Sequence, residues 1–210
     1  MRIEQARPRI IVTTSHRPSQ RVRSFAKDLA TVLPYAIRIN RGKSSLRDLY
    51  FDAYSVGALR VVIIGMWKGN PGTIRVYEVQ EPPNELKEIT VIRLAGVALR
   101  REIPGARKIM GARAAAIDVR ELPLALQHLA DTFTRAFFYK IIFSDEEASR
   151  YDVIARASLQ NGILEMKFLC KDMRTACGPK LRIVAVEDYV SGFRLYRDKA
   201  LFKEASREHS

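Results

Sequence analysis

The chain has 210 residues, of which 47% are hydrophobic and 28% are charged, a composition typical of a globular protein that builds its own core. Lys and Arg number 36 against 23 Asp and Glu, so the net charge is +13, which favours a polyanionic partner, above all nucleic acid. No apolar run reaches the ~18 residues of a membrane span, and the first residues lack the apolar core of a secretory signal, so we expect neither a membrane protein nor a secreted one.

The positive charge is concentrated in the first half. Residues 1–105 hold 18 basic and 9 acidic side chains, whereas residues 106–210 hold 18 and 14. We therefore expect the first half to make the main contact with a polyanion. The alternative is that many of these charges are solvated and keep the protein soluble.

The first predicted elements are a strand, a turn and a helix. Residues 9–14 are a β-branched run, Ser19 is a good helix N-cap, and apolar residues recur at helical spacing from Val22 until the helix ends before Pro34. Cations gather where this strand ends and the helix begins, at a place with exposed backbone N–H groups that suits a phosphate. They are Arg17, Arg21 and Arg23.

A second strand is predicted over residues 35–39, followed by a basic turn that carries Arg41 and Lys43. Two parallel strands joined by a helix bring their carboxyl ends to the same edge of a sheet, so both basic loops should share one edge. Ser45 then caps a second helix that begins near Arg47 and stops at Gly57.

Three more strands are predicted in the first half, over residues 60–66, 73–79 and 88–98. Helices connect the early strands and hairpins connect the late ones, which predicts a mixed sheet. Trp67 and Lys68 lie at the mouth of a glycine-rich turn. A tryptophan beside a strand end is more often part of the core or a cap, although an exposed one could stack on a base.

The densest basic stretch is residues 99–113, where we place the joint between the halves. It is either a solvent-exposed connection or a second RNA contact, because arginine serves phosphate binding and surface ion pairs equally well. Its cations are Arg100, Arg101, Arg107, Lys108 and Arg113.

The second half again reads as strand, helix and mostly antiparallel strands. Strands are predicted over residues 114–119, 139–143, 151–159, 163–169 and 180–187, and helices from Pro123 and over residues 193–206. Gln160-Asn161-Gly162 is a hairpin signal.

Four linked blocks resemble, in order and spacing, the Brix-domain family of ribosome-biogenesis proteins, especially its short archaeal members. The blocks are T-T-S-H-R-P-S at 13–19, F-A-K-D-L at 25–29, R-I-N-R-G at 38–42 and I-I-G-M-W-K-G-N-P-G at 63–72. The resemblance implies two similar α/β halves, residues 1–98 and 99–210, each a mixed sheet packed with helices and resembling the anticodon-binding domain of class IIa aminoacyl-tRNA synthetases. The second half matches more loosely, chiefly through G-P-K-L-R-I at 178–183, and the glycine-proline-threonine turn of larger members is absent.

Motifs for catalysis or metal binding are missing from the sequence. It contains no phosphate-loop, dinucleotide-binding or G-x-S-x-G pattern, and adjacent Ser15 and His16 seldom aim their side chains together. Cys170 and Cys177 match no zinc site, and they are expected to be free thiols, with a disulfide left open. We therefore expect no catalytic residues, no metal, no cofactor and no small-molecule substrate.

The sequence thus predicts a non-enzymatic ribosome-biogenesis factor that binds precursor ribosomal RNA, as the resemblance implies, with other ribosome-assembly proteins as further partners. It should be cytoplasmic in a prokaryotic cell, or nucleolar in a eukaryote. Lys68 and the cations of residues 100–113 would extend the track of phosphate contacts that begins at the first loops. The alternatives are a protein-interaction scaffold and a small nucleotide-binding enzyme that uses the first strand-helix turn.

Overall fold

The computed structural model describes residues 8–196. Its strands are β1 (Ile10–Thr14), β2 (Ala36–Arg38), β3 (Arg60–Trp67), β4 (Asn70–Val79), β5 (Leu86–Ala98), β6 (Ala115–Asp118), β7 (Lys140–Ile141), β8 (Val153–Gln160), β9 (Ile163–Cys170), β10 (Ala176–Asp188) and β11 (Arg194–Tyr196). Its helices are α1 (Gln20–Val32), α2 (Leu46–Ser55), α3 (Leu129–Phe137) and α4 (Asp145–Ala148), with short 3-10 turns at Arg100–Glu102 and Leu124–Leu126. Within this range no helix is long and apolar enough to cross a membrane.

The strands form one large mixed sheet in the order β2-β1-β3-β4-β5-β10-β9-β8-β6-β7, and β11 adds to β10. β1 runs parallel to β2 and β3, β6 runs parallel to β7 and β8, and the remaining neighbours are antiparallel. The order of elements and the pairing directions are therefore the same in β1–β5 as in β6–β10. The two stretches meet where β5 pairs with β10.

A single apolar core runs across that junction. Phe25 of α1, Phe133 of α3 and Phe168 of β9 belong to one cluster of buried side chains, and α1 contacts β10 directly. The guanidinium groups of Arg9 and Arg60 lie 4.2 and 4.8 Å from the centre of the ring of Phe138, the residue that follows α3. Elements from the two stretches thus interlock at the junction.

Local sequence signals place the first two helices correctly. The Ser19 hydroxyl accepts a hydrogen bond from the Val22 amide at 3.2 Å, as the expected N-cap of α1. Ser45 caps α2 in a reciprocal box with Asp48, whose carboxylate accepts from the Ser45 amide at 2.8 Å. The predicted hairpin between β8 and β9 is confirmed by a turn in which Asn161 and Gly162 both have positive φ.

The predicted helix over residues 193–206 is wrong at its start, because Arg194–Tyr196 is strand β11; residues 197–206 lie outside the described residues. β10 is longer than β9, so Ala185–Glu187 extend past the end of β9 and take β11 as a partner instead. A strand partner at that position is a long-range fact that helical periodicity cannot report. Cys170 and Cys177 are free thiols, and burial raises the pKa of the Cys177 thiol.

Candidate nucleic-acid interface

Three loops meet at the edge where β1, β2 and β3 end, as the sequence predicted for the first two. The Ile39 amide donates to the Val12 carbonyl at 3.0 Å and the Ser15 amide to the Ile64 carbonyl at 2.8 Å, which joins the strand ends. His16 Nδ1 lies 3.4 Å from the carbonyl oxygen of Gly42. We call residues 13–19, 40–45 and 65–72 together the basic edge.

The basic edge carries positive charge without acidic residues. Arg17, Lys43 and Lys68 are exposed, and Arg17 and Lys68 lie in tight turns with φ of 49° and 46°. Arg41 is half-buried, and its Nε donates to the Ser44 carbonyl at 3.0 Å. None of the three segments of the edge contains Asp or Glu. Arg47, just beyond it, pairs instead with Glu85 at 3.2 Å.

Arg21 differs from the other predicted cations of the first loop, because its guanidinium is bound to Glu102 within the protein. It makes a two-pronged pair with the Glu102 carboxylate, one contact at 2.8 Å, and donates to the Val97 carbonyl at 2.9 Å. The hydrogen bond to Glu102 raises the pKa of Arg21, and the same contact lowers the pKa of Glu102. This pair ties α1 to the chain after β5, so Arg21 has a structural role.

A second basic surface lies along the exposed polar face of α1, where a cavity of about 450 Å³ opens. We call it the α1 groove. Its walls come from α1, the end of β2, the 3-10 turn after β5 and the connection to β6. The lining residues are Gln20, Arg23, Ser24, Lys27, Asp28, Thr31, Arg38, Arg100, Arg101 and Lys108. Six of these are cations and one is an acid, so the groove has a strong positive potential.

The helix spacing and one carboxylate build this groove. Positions 20, 23, 24, 27 and 31 recur every three or four residues, so they share the face of α1 opposite its buried side. The Asp28 carboxylate accepts from the Arg100 amide at 2.9 Å and lies 3.9 Å from its Nε. That contact holds the 3-10 turn against α1 and brings Arg101 to the groove.

Lys27 and Arg38 are groove residues that the sequence reading did not select. Lys27 follows Arg23 by one helical turn, a spacing that could have identified it. Arg38 lies in β2, and the alternation of a strand does not predict that its side chain lines a groove beside α1. Its guanidinium donates to the Asn40 side chain at 2.7 Å, while its Nε is buried without a hydrogen-bond partner.

The other predicted cations of the connection lie beside a second cavity of about 400 Å³. Arg107 and Lys108 line it, and Lys108 also lines the α1 groove, so the two cavities are neighbours. Asp152 and Asp172 line this second cavity as well, which reduces its positive charge. Arg113 is exposed, and its backbone amide donates to Asp152 at 2.8 Å.

The edge where β6, β7 and β8 end has the opposite character. Buried Asp118 accepts from Arg120 at 2.9 Å and from Arg156 at 3.2 Å, and Arg120 also pairs with Asp145 at 2.6 Å. Burial opposes ionisation of Asp118, but the hydrogen bonds and charge of Arg120 together with the charge of Arg156 lower its pKa. Arg120 and Arg156 are therefore paired with acidic side chains of the protein itself.

The groups considered for chemistry are His16 and the possible metal ligands. His16 Nδ1 faces the Gly42 carbonyl, so a backbone oxygen and not a carboxylate contacts this ring nitrogen. Within residues 8–196, no group of three or more His, Cys, Asp and Glu side chains is arranged to hold a metal ion.

Comparison with known proteins gives relatives with consistent names. A protein of Thermococcus kodakarensis, described as a probable Brix domain-containing ribosomal biogenesis protein, is 41% identical over 94 residues, which is 45% of this chain and 44% of that protein. A solved structure, a probable ribosomal biogenesis protein from Aeropyrum pernix, is 35% identical with a TM-score of 0.70, and the match covers 84% of this chain and 95% of that one. The chain belongs to the Brix-domain family of ribosome-biogenesis proteins.

Other comparisons set the extent of this Brix-family match. A relative of the same description from Pyrobaculum aerophilum is 27% identical over 87% of this chain and 95% of its own length. Sequence matches over 91 to 94 residues span half or less of the relatives' own length. No family model matches the chain. The relatives are named as ribosome-biogenesis proteins and not as enzymes, which agrees with the expectation of a non-enzymatic protein.

Proposed function

We propose that this Brix-family chain is a ribosome-biogenesis factor that binds precursor ribosomal RNA through the α1 groove and the basic edge. The observation that carries the proposal is the α1 groove, where six cations from four separate elements line one open cavity with a single acid. Such an excess of positive charge attracts a polyanion, and the single acid opposes that attraction only weakly.

The spread of the charges favours a chain of phosphates over a single one. The groove cations come from α1, β2, the 3-10 turn and the connection, and Lys108 continues the lining toward the next cavity. Arginine and lysine contacts to phosphates fix the register of a nucleic acid but do not read its sequence. RNA affinity should therefore depend steeply on salt.

The proposal extends to the division of labour within the chain. We propose two related α/β halves, residues 1–98 and 99–210, because β1–β5 and β6–β10 repeat the same order and pairing. The first half and the connection hold the RNA, since the corresponding edge of the second half is neutralised by Asp118 and Asp145. The likeness to synthetase anticodon-binding domains remains a prediction from the sequence. Cytoplasmic location and contacts with other assembly proteins belong to the same proposal.

The test replaces three exposed cations of the groove at once, in the variant Lys27→Ala, Arg101→Ala, Lys108→Ala. Binding to a labelled transcript of the ribosomal precursor is followed by fluorescence anisotropy over a range of salt concentrations. Each phosphate contact contributes about 0.7 to 0.9 to the slope of log K against log salt, so the slope should become shallower by about 2 to 3. We expect the affinity at physiological salt to fall at least on the order of tenfold.

A charge-matched control separates the groove from net charge. Lys87→Ala, Lys140→Ala, Arg150→Ala removes the same number of lysines and arginines from exposed positions outside the groove. This control should bind the transcript with an affinity within about twofold of that of the wild-type chain, because removing any three cations slightly weakens the attraction to RNA. Equal losses in both variants would show that RNA binding reflects net charge alone and would contradict the proposal.

A further inference from the structure

Trp67 is the single tryptophan of the chain, and the structure exposes 68% of it at the end of β3. The sequence reading favoured a place in the core or a cap, and that interpretation is wrong. An exposed indole offers a large apolar face and one N–H donor to a binding partner. Its neighbour Met66 is also 42% exposed.

The backbone beneath Trp67 is a tight and closely packed hairpin. The hairpin from β3 to β4 turns through Lys68 and Gly69, both with positive φ, which is the tight two-residue turn that matches the twist of paired strands. A Cβ on Gly72 would lie 2.6 Å from the Cβ of Trp67, so the strand opposite is packed closely against the tryptophan's base. The indole thus extends into solvent from a closely packed hairpin.

The hairpin is also fastened to the first strand-helix loop. The Ser19 hydroxyl donates to the Gly69 carbonyl at 2.6 Å while it accepts from the Val22 amide at the start of α1. This contact connects the support of Trp67 to the loop that carries Arg17. The ring therefore belongs to the basic edge, in the hairpin bonded to the loop that carries Arg17.

The charges around the ring indicate what it would bind. Lys68 Nζ lies 5.8 Å from the centre of the Trp67 ring, and the basic edge also contains Arg17, Arg41 and Lys43 with no acid. An exposed indole among phosphate-binding cations is the arrangement by which proteins stack an unpaired nucleobase while they hold its backbone. Bases inside a duplex are stacked on one another and are not available to the ring.

We propose that Trp67 is a stacking platform for an unpaired base, so that the basic edge selects single-stranded RNA. This inference rests on the proposed function, since it names the kind of RNA that the surface takes. The lining of the α1 groove, by contrast, has cations, polar groups and one acid but no aromatic ring, so the groove should hold phosphates of either form.

The test uses the full chain and its own fluorescence, because Trp67 is the only indole to report. A labelled single-stranded polyadenylate of about 12 nucleotides and a duplex of the same length are the two probes. We expect the single strand to quench the tryptophan emission as it binds and the duplex to bind without quenching. Trp67→Ala should lower the affinity for the single strand on the order of tenfold and leave the affinity for the duplex unchanged. Trp67→Phe should recover part of the lost affinity.

Phe143→Ala is the control, as an exposed aromatic residue outside both the basic edge and the α1 groove, and should change neither affinity. Circular dichroism checks that each variant is folded. If the chain binds both probes by anisotropy while Trp67→Ala has the wild-type affinity for the single strand, the stacking inference is wrong and the proposed RNA binding stands. If neither probe nor the precursor transcript binds at physiological salt, the proposed function itself fails, and Trp67 is then left for a protein partner.

Discussion

Gly178 of β10 lies where α1 packs against the sheet. The substitution Gly178→Ala tests whether the stretches β1–β5 and β6–β10 share one core. A Cβ at this position would come within 2.6 Å of Val32 Cγ1 and 2.7 Å of Phe168 Cβ. Val32 is fully buried and Phe168 is 2% exposed, so neither can swing away into solvent. One contact belongs to α1 and the other to β9, on opposite sides of the junction.

The expected cost follows from these two distances. Forcing a methyl group into a packed core costs about 1 to 3 kcal/mol, and replacing glycine returns about 0.4 to 1 kcal/mol by restricting the unfolded chain. The net destabilisation should be about 1 to 2 kcal/mol. In a domain of this size, 1 kcal/mol shifts the melting temperature by about 2 to 4 °C, so we expect Tm to fall by about 5 °C.

Thermal and urea unfolding monitored by circular dichroism measure the change, with Gly96→Ala as the matched control. Gly96 lies in β5, and a Cβ there meets no atom within 4 Å. The control should be as stable as the wild-type chain or more stable by about 0.5 kcal/mol. If Gly178→Ala behaves like the control, α1 does not pack on β10 as described, and the single core across the junction is refuted.

Two further predictions concern ion pairs. Arg21→Ala should lower the free energy of unfolding by about 1 kcal/mol, discounted for partial exposure, because it removes the two-pronged pair with Glu102. Its RNA affinity should fall no more than that of Lys87→Ala, and a loss as large as that of the groove variant would show that Arg21 contacts RNA. Asp188 is 1% exposed, and although burial opposes its ionisation, hydrogen bonds from Arg135 and the turn after β10 lower its pKa to about 2. Because the depressed pKa of Asp188 gives stability that is present above about pH 4 and is lost as the pH falls through about 2, Asp188→Asn should cost about 2 kcal/mol at pH 7 and only about 0.4 kcal/mol at pH 2. An equal loss at both pH values in urea titrations would refute the assignment.

The candidate site was predictable as far as it depends on local structure. Ser19 and Ser45 marked both helix starts, and the rule for parallel strands brought the loops of Arg17 and Lys43 to one edge. The exposure of Trp67 is not predictable from the sequence, because a strand end beside glycines does not show whether a ring points into the core or into water. Only its exposed surface in the folded chain answers that question.

The sequence by itself determined the order of elements in the first half, the mixed sheet, the excess of positive charge and the family resemblance. These follow from signals within a few residues, such as periodicity, caps and turns. The tertiary structure alone decided that β5 pairs with β10, that Lys27 and Arg38 face Arg101 and Lys108 across the α1 groove, and that Arg21 is taken by Glu102, 81 residues away. The reason is that the availability of a charge depends on which groups lie beside it, and those neighbours are set by long-range packing that no local pattern records.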